Sequence, residues 1–135
     1  MSAADSLHNV RTIQPINVLV ASRDTRFLKL ARFLLERHGR SVEATRKLHE
    51  LLDVVDRTEP NVVVLDATDW LAPAARRIAA LNALYPRTTV VAVSDDPESD
   101  TLAGVTLIDK WGPADRLSRE VELAYVFGAT TPRAT

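Results

Sequence analysis

The sequence predicts an α/β fold: a doubly wound, five-stranded parallel sheet with helices on both faces. Three observations lead there. The runs "NVLVA" (17–21), "NVVVLDA" (61–67) and "TTVVAVS" (88–94) are apolar at nearly every position, as strands buried on both faces are. Segments with helical spacing lie between them, so strands and helices alternate. Breaking residues mark the junctions: Gly39, Pro60 and Pro86 each follow a helical segment.

Taken in order, residues 1–15 are polar and end at Pro15, which reads as a flexible arm. The first strand is 17–21. "TRFLKLARFLLERHG" (25–39) places Phe27, Leu30, Ala31, Leu34 and Leu35 at helical spacing, with Gly39 as its C-terminal cap. "SVEAT" (41–45) alternates like a short, half-exposed strand. "KLHELLDVVDRTE" (47–59) is helical, with Leu48, Leu51, Leu52 and Val55 on one face, and the strand 61–67 follows. "WLAPAARRIAALNALY" (70–85) is helical with Pro73 in its first turn, where no N–H is needed. After strand 88–94 comes the turn-rich "DDPESDTLAG" (95–104), with room for only a shortened fourth helix. "VTLID" (105–109) is the last strand. "PADRLSREVELAYVF" (113–127) is a helix with Leu117, Val121 and Ala124 inward. Residues 16–127 thus form one domain and 128–135 a tail.

Composition excludes several classes. Without cysteine there is no disulfide, thiol nucleophile or cysteine-held zinc. His8, His38 and His49 are too scattered for a metal site. A net charge of −1 creates no field to recruit nucleic acid or an anionic membrane. No apolar run approaches the ~20 residues of a membrane span, and the N-terminus lacks the apolar core of a signal peptide. The expectation is a soluble, cytoplasmic, non-enzymatic domain.

In such sheets ligands bind beyond the carboxyl ends of the strands. There the first strand delivers Ser22, Arg23 and Asp24, the third Asp66, the fourth Ser94 and the fifth Lys110. An acid, a hydroxyl and an ammonium converging on one point can bind a phosphoryl group held on Asp66. No glycine-rich phosphate loop follows the first strand, so nucleotide-binding relatives of this architecture lose support. Over residues 16–127 the chain resembles the receiver domains of two-component response regulators, which have a flavodoxin-like fold. "PNVVVLDATDW" places Asp66 at the family's phospho-accepting aspartate, "VVAVS" places Ser94 at its hydroxyl position, and "LIDKW" places Lys110 at its lysine.

The departures from that family are as informative. Its two adjacent acids, which hold Mg²⁺, fall here on Ser22 and Arg23. Mg²⁺ takes hard oxygen ligands, usually carboxylates, and a guanidinium repels it. Arg23 has two readings: a substitute charge paired with Asp66, or a surface arginine. Asp24 is a weak metal candidate and a better helix N-terminal acid. Trp111 replaces the proline that follows the lysine, so the bond is expected to be trans, with Lys110 aimed differently. Leu107 occupies the aromatic switch position. The expected function is therefore that of an atypical receiver, signalling through protein–protein contacts without a cofactor and without Mg²⁺-dependent phosphorylation. The alternative is a working receiver phosphorylated on Asp66 by a histidine kinase, with Mg²⁺ as its cofactor. A distant alternative is nucleic-acid binding through the basic first helix, carrying Arg26, Lys29, Arg32, Arg37 and Arg40, against which the balanced charge argues. The partner is expected to be a histidine kinase or a downstream signalling protein. The chain is expected to be a monomer or a dimer through a surface other than the family's usual one.

Overall fold

The computed structural model describes residues 15–102 and 105–130, so the expected arm lies almost wholly outside them. The elements are β1 (Asn17–Ala21), α1 (Thr25–Arg37), β2 (Ser41–Thr45), α2 (Leu51–Thr58, entered through a 3₁₀ turn at Leu48–Glu50), β3 (Val62–Asp66), α3 (Leu71–Leu84), β4 (Thr89–Ser94), β5 (Leu107–Asp109) and α4 (Arg116–Thr130). The five strands form one sheet in the order β2-β1-β3-β4-β5, and every neighbouring pair is parallel. The alternation of elements implies the doubly wound sheet, and its strand order is the flavodoxin-like one that the resemblance to receiver domains implies.

Successive strand residues point to opposite faces, and both faces are apolar. Val18, Val20, Val62, Val64, Val91 and Val93 pack under α1 and α4, against Phe27, Ala31, Leu35 and Val121. Leu19, Ala21, Val63, Leu65 and Ala92 pack under α2 and α3, against Leu51, Val55, Ile78 and Leu81. Along α1 the buried stripe is Phe27, Leu28, Ala31, Leu34 and Leu35. Leu30, expected inward, is exposed, because the stripe centres on Ala31 and leaves position 30 on its flank.

Local signals set the boundaries. Asp24 caps α1, its Oδ1 accepting from the N–H groups of Arg26 (2.9 Å) and Phe27 (3.3 Å). Gly39, at φ +79°, turns the chain out of α1. Pro113 does not open α4. It lies one turn earlier, its carbonyl accepting from Arg116 N–H at 3.0 Å. At the other end α4 continues past residue 127 to Thr130.

The shortening between β4 and β5 goes further than expected. The described residues there form no helix, only a turn over 97–99 and an antiparallel bridge between Leu102 and Val105. Proline, aspartates and a single apolar anchor, Leu102, do not sustain an amphipathic turn. Accordingly β5 is three residues long and pairs only with Ala92, Val93 and Ser94. Among the described residues no helix is long and apolar enough to cross a membrane.

Candidate functional site

The carboxyl ends of β1, β3 and β5 bring four side chains together. Asp66 ends β3 and is 4% exposed. Its Oδ2 accepts the hydroxyl of the buried Ser22 at 2.6 Å and lies 2.8 Å from the Lys110 ammonium. Its Oδ1 accepts the backbone N–H of Thr68 at 3.0 Å. The same ammonium lies 3.1 Å from Asp24 Oδ2. One cation therefore serves two carboxylates.

Ser22 is used twice. It donates to Asp66 and accepts from the backbone N–H of Asp24 at 3.0 Å. That second bond holds the β1–α1 turn in the shape that makes Asp24 both the α1 cap and a partner of Lys110. Asp24 thus divides its oxygens, Oδ1 to the helix and Oδ2 to the lysine.

Lys110 reaches Asp66 across a peptide bond to Trp111 that is trans, so the expected re-aiming does not occur. Two rings face the lysine. Its ammonium sits 5.6 Å from the centroid of Phe27 and 5.2 Å from that of Trp111, and the two rings meet edge to face at 5.9 Å. The part of Phe27 was not legible in the sequence. Phe27 reads as core, and only its place one turn into α1 puts it beneath the lysine.

The charges respond to one another. Burial works against the Lys110 charge, but the hydrogen bond and charge of Asp66, then those of Asp24, outweigh it and hold the ammonium above the ordinary lysine value. Burial also works against an ionised Asp24. The hydrogen bond to Lys110, the N–H of Phe27 and the lysine charge outweigh it and hold this carboxyl below the usual carboxylate value.

Arg23 and Ser94 stand apart. Arg23 is exposed at the mouth and makes no ion pair among the described residues, so the cation at Asp66 is Lys110 and not Arg23. Ser94 is buried, with its hydroxyl on the Asp100 carboxylate while it accepts from the N–H of Asp96 at 3.0 Å. It repeats the Ser22 pattern but ties down the loop after β4. Above Asp66 an open depression of about 580 Å³ is lined by Arg23, Asp24, Thr68, Asp69, Asp95 and Lys110.

No protein-family model matches the sequence, and no curated protein matches it. Solved structures do match. A response regulator from Thermotoga maritima superimposes with a TM-score of 0.73 at 17% identity, over 84% of this chain and 99% of that one. NtrX from Brucella abortus, solved with ADP, gives 0.72 at 20% identity, over 85% of this chain and 27% of that one. An atypical orphan response regulator, described as having a phosphorylation-independent regulatory mechanism, gives 0.69 at 17% identity, over 83% and 97%. With its strand order, its carboxyl-edge aspartate and its lysine, the chain has the receiver fold of response regulators.

Proposed function

We propose that the chain is an atypical, non-enzymatic receiver domain of the cytoplasm that signals through protein–protein contacts without Mg²⁺-dependent phosphorylation. The observation that carries this reading is the ammonium of Lys110, 2.8 Å from Asp66 and 3.1 Å from Asp24. The two carboxylates that a cation would use are already bridged by a cation from the chain. The donor set does not fit Mg²⁺: one family acid is a hydroxyl committed to Asp66, and the other is an exposed guanidinium at the mouth. The likeness to a phosphorylation-independent orphan regulator supports the same reading. Its partner would be a kinase or a downstream signalling protein.

A second reading has an observation of its own. Asp66 lines an open depression, which favours access of a phosphodonor and a receiver phosphorylated on Asp66 by a histidine kinase with Mg²⁺. One experiment separates the two. The chain is incubated with acetyl phosphate and Mg²⁺, then followed by intact mass. The expected result is no adduct. A Mg²⁺-dependent adduct that disappears in Asp66→Asn overturns the first reading and establishes the second. Nucleic-acid binding through α1 has less behind it, since Arg32 pairs with Glu36, Arg40 with Glu122, and Arg37 stacks on Phe33.

A further inference from the structure

The loops at the carboxyl edge are divided by charge. On the β2 and β1 side stand Arg46, Lys47 and Arg23, and on the β3 and β4 side Asp69, Asp95 and Asp96. All six are exposed, and none enters an ion pair among the described residues. The sheet order places the basic loops on β2 and β1 and the acidic ones on β3 and β4, side by side and in that sequence. Each half is tied to itself. The Arg46 guanidinium donates to the Arg23 carbonyl at 3.4 Å, joining the two basic loops. The N–H of Asp95 donates to Thr68 Oγ1 at 3.2 Å, joining the two acidic ones. Between the halves lies the depression over Asp66, whose own charge is offset by Lys110.

We propose that this face binds a second copy of the chain, head to head. A surface with one basic and one acidic half is complementary to itself under a single kind of two-fold axis. An axis along the sheet normal, passing between β1 and β3, lays the β2 loop of one copy over the β4 loop of the other and the β1 loop over the β3 loop. Arg46 and Lys47 then face Asp95 and Asp96, and Arg23 faces Asp69. An axis along the strand order would set like charge on like. The charges therefore select one docking orientation, as isologous interfaces require. Five strands at about 4.8 Å span only about 20 Å, so the patch lies at the small end of specific interfaces. Exposed pairs each contribute little. The dimer is accordingly weak, fast to form and sensitive to salt, and it covers Asp66. It does not depend on whether Asp66 accepts phosphate.

Sedimentation of the full chain tests this. At an ionic strength of about 0.01 M, where charges act over about 30 Å, a dimer is expected. At about 1 M, where they act over about 3 Å, it should dissociate at least tenfold more readily. Arg46→Glu with Lys47→Glu, and separately Asp95→Arg with Asp96→Arg, should each give a monomer. The equimolar mixture of the two variants should restore a one-to-one dimer. If a reversed pair fails to fold by circular dichroism, the neutral versions with Gln and Asn should likewise give a monomer. A chain that is monomeric at every salt, a dimer that survives both reversals, or a mixture that stays monomeric overturns the proposal.

Discussion

Ser22 donates its hydroxyl to Asp66 across 2.6 Å with both side chains buried, at a position where the resemblance to receiver domains implies an acid. A hydroxyl can approach a carboxylate that closely because it brings a proton. A second carboxylate there would need a cation between the two. The site is self-consistent as it stands, and its parts are expected to fail together.

Ser22→Ala removes a donor from Asp66 and an acceptor from the Asp24 N–H. The expected loss is about 1–3 kcal/mol, the usual cost of leaving a buried polar group unpaired. Chemical denaturation measures it. Ser22→Asp together with Arg23→Asp should be less stable than the parent without metal and should gain stability from Mg²⁺, which the parent should not. Equal responses of the two proteins to Mg²⁺ would count against the charge argument.

Lys110→Met leaves two carboxylates facing each other without their cation. Removing one partner of a buried pair costs about 3–5 kcal/mol, and the partial exposure of Asp24 sets the expectation at the lower end. Adding Asp66→Asn should recover part of the loss, so the double mutant should be better than the sum of the singles. Strict additivity would mean that Lys110 and Asp66 do not interact.

The pH dependence has a sign at each end. The Asp24 carboxyl is held low, so its contribution is present above its unfolded pKa of 3.8 and is lost as pH falls through the lower folded value. The Lys110 ammonium is held high, so its contribution is present below 10.5 and is lost as pH rises through the higher folded value. Asp24→Ser keeps a helix cap but not the ion pair. It should flatten its share of the acid limb while leaving α1 intact by circular dichroism.

Trp111→Leu keeps an apolar side chain but removes a ring that faces the Lys110 ammonium. The expected cost is about 0.5–2 kcal/mol. In Lys110→Met the same exchange should cost less, because no cation remains to face the ring. An unchanged cost would mean that the ring contributes only area.

Gly128→Ala tests the far end of α4. Alanine is favoured over glycine inside a helix by about 1 kcal/mol. Here a Cβ would lie 1.9 Å from Thr89 Cγ2, at the start of β4. Overpacking of that kind costs about 1–3 kcal/mol, so the clash should win and the melting temperature should fall. Thr89→Ser with Gly128→Ala should relieve it.

Much of this architecture is legible in the residues. Runs such as 62–65, buried on both faces, read as central strands, and Asp66 ends one of them at the carboxyl edge. What escapes is side-chain direction. The sequence places Arg23 beside the site but does not tell that its guanidinium stays outside. It places Trp111 after Lys110 but does not show that the Trp111 ring faces the ammonium. The sharing of one lysine by Asp24 and Asp66 depends on a turn fixed by Ser22, a bond two residues long that no periodicity encodes. The short β5 escapes for another reason. "VTLID" has the composition of a strand over five residues, and Val105, drawn back to Leu102, trims it.

That trimming has a consequence for how the site opens. Proteins open piecemeal, and the unit that opens first is the one with the fewest bonds to break. Lys110 is delivered by the shortest of the described strands, at the rim of the sheet, after a connection whose described residues form no helix. Fraying of β5 would withdraw the ammonium while β1 and β3 stay closed, leaving Asp66 without its cation in an otherwise intact fold. The frequency with which Asp66 is uncovered is then governed by the local opening of three residues rather than by global unfolding. Amide exchange at Leu107–Asp109 would report it directly.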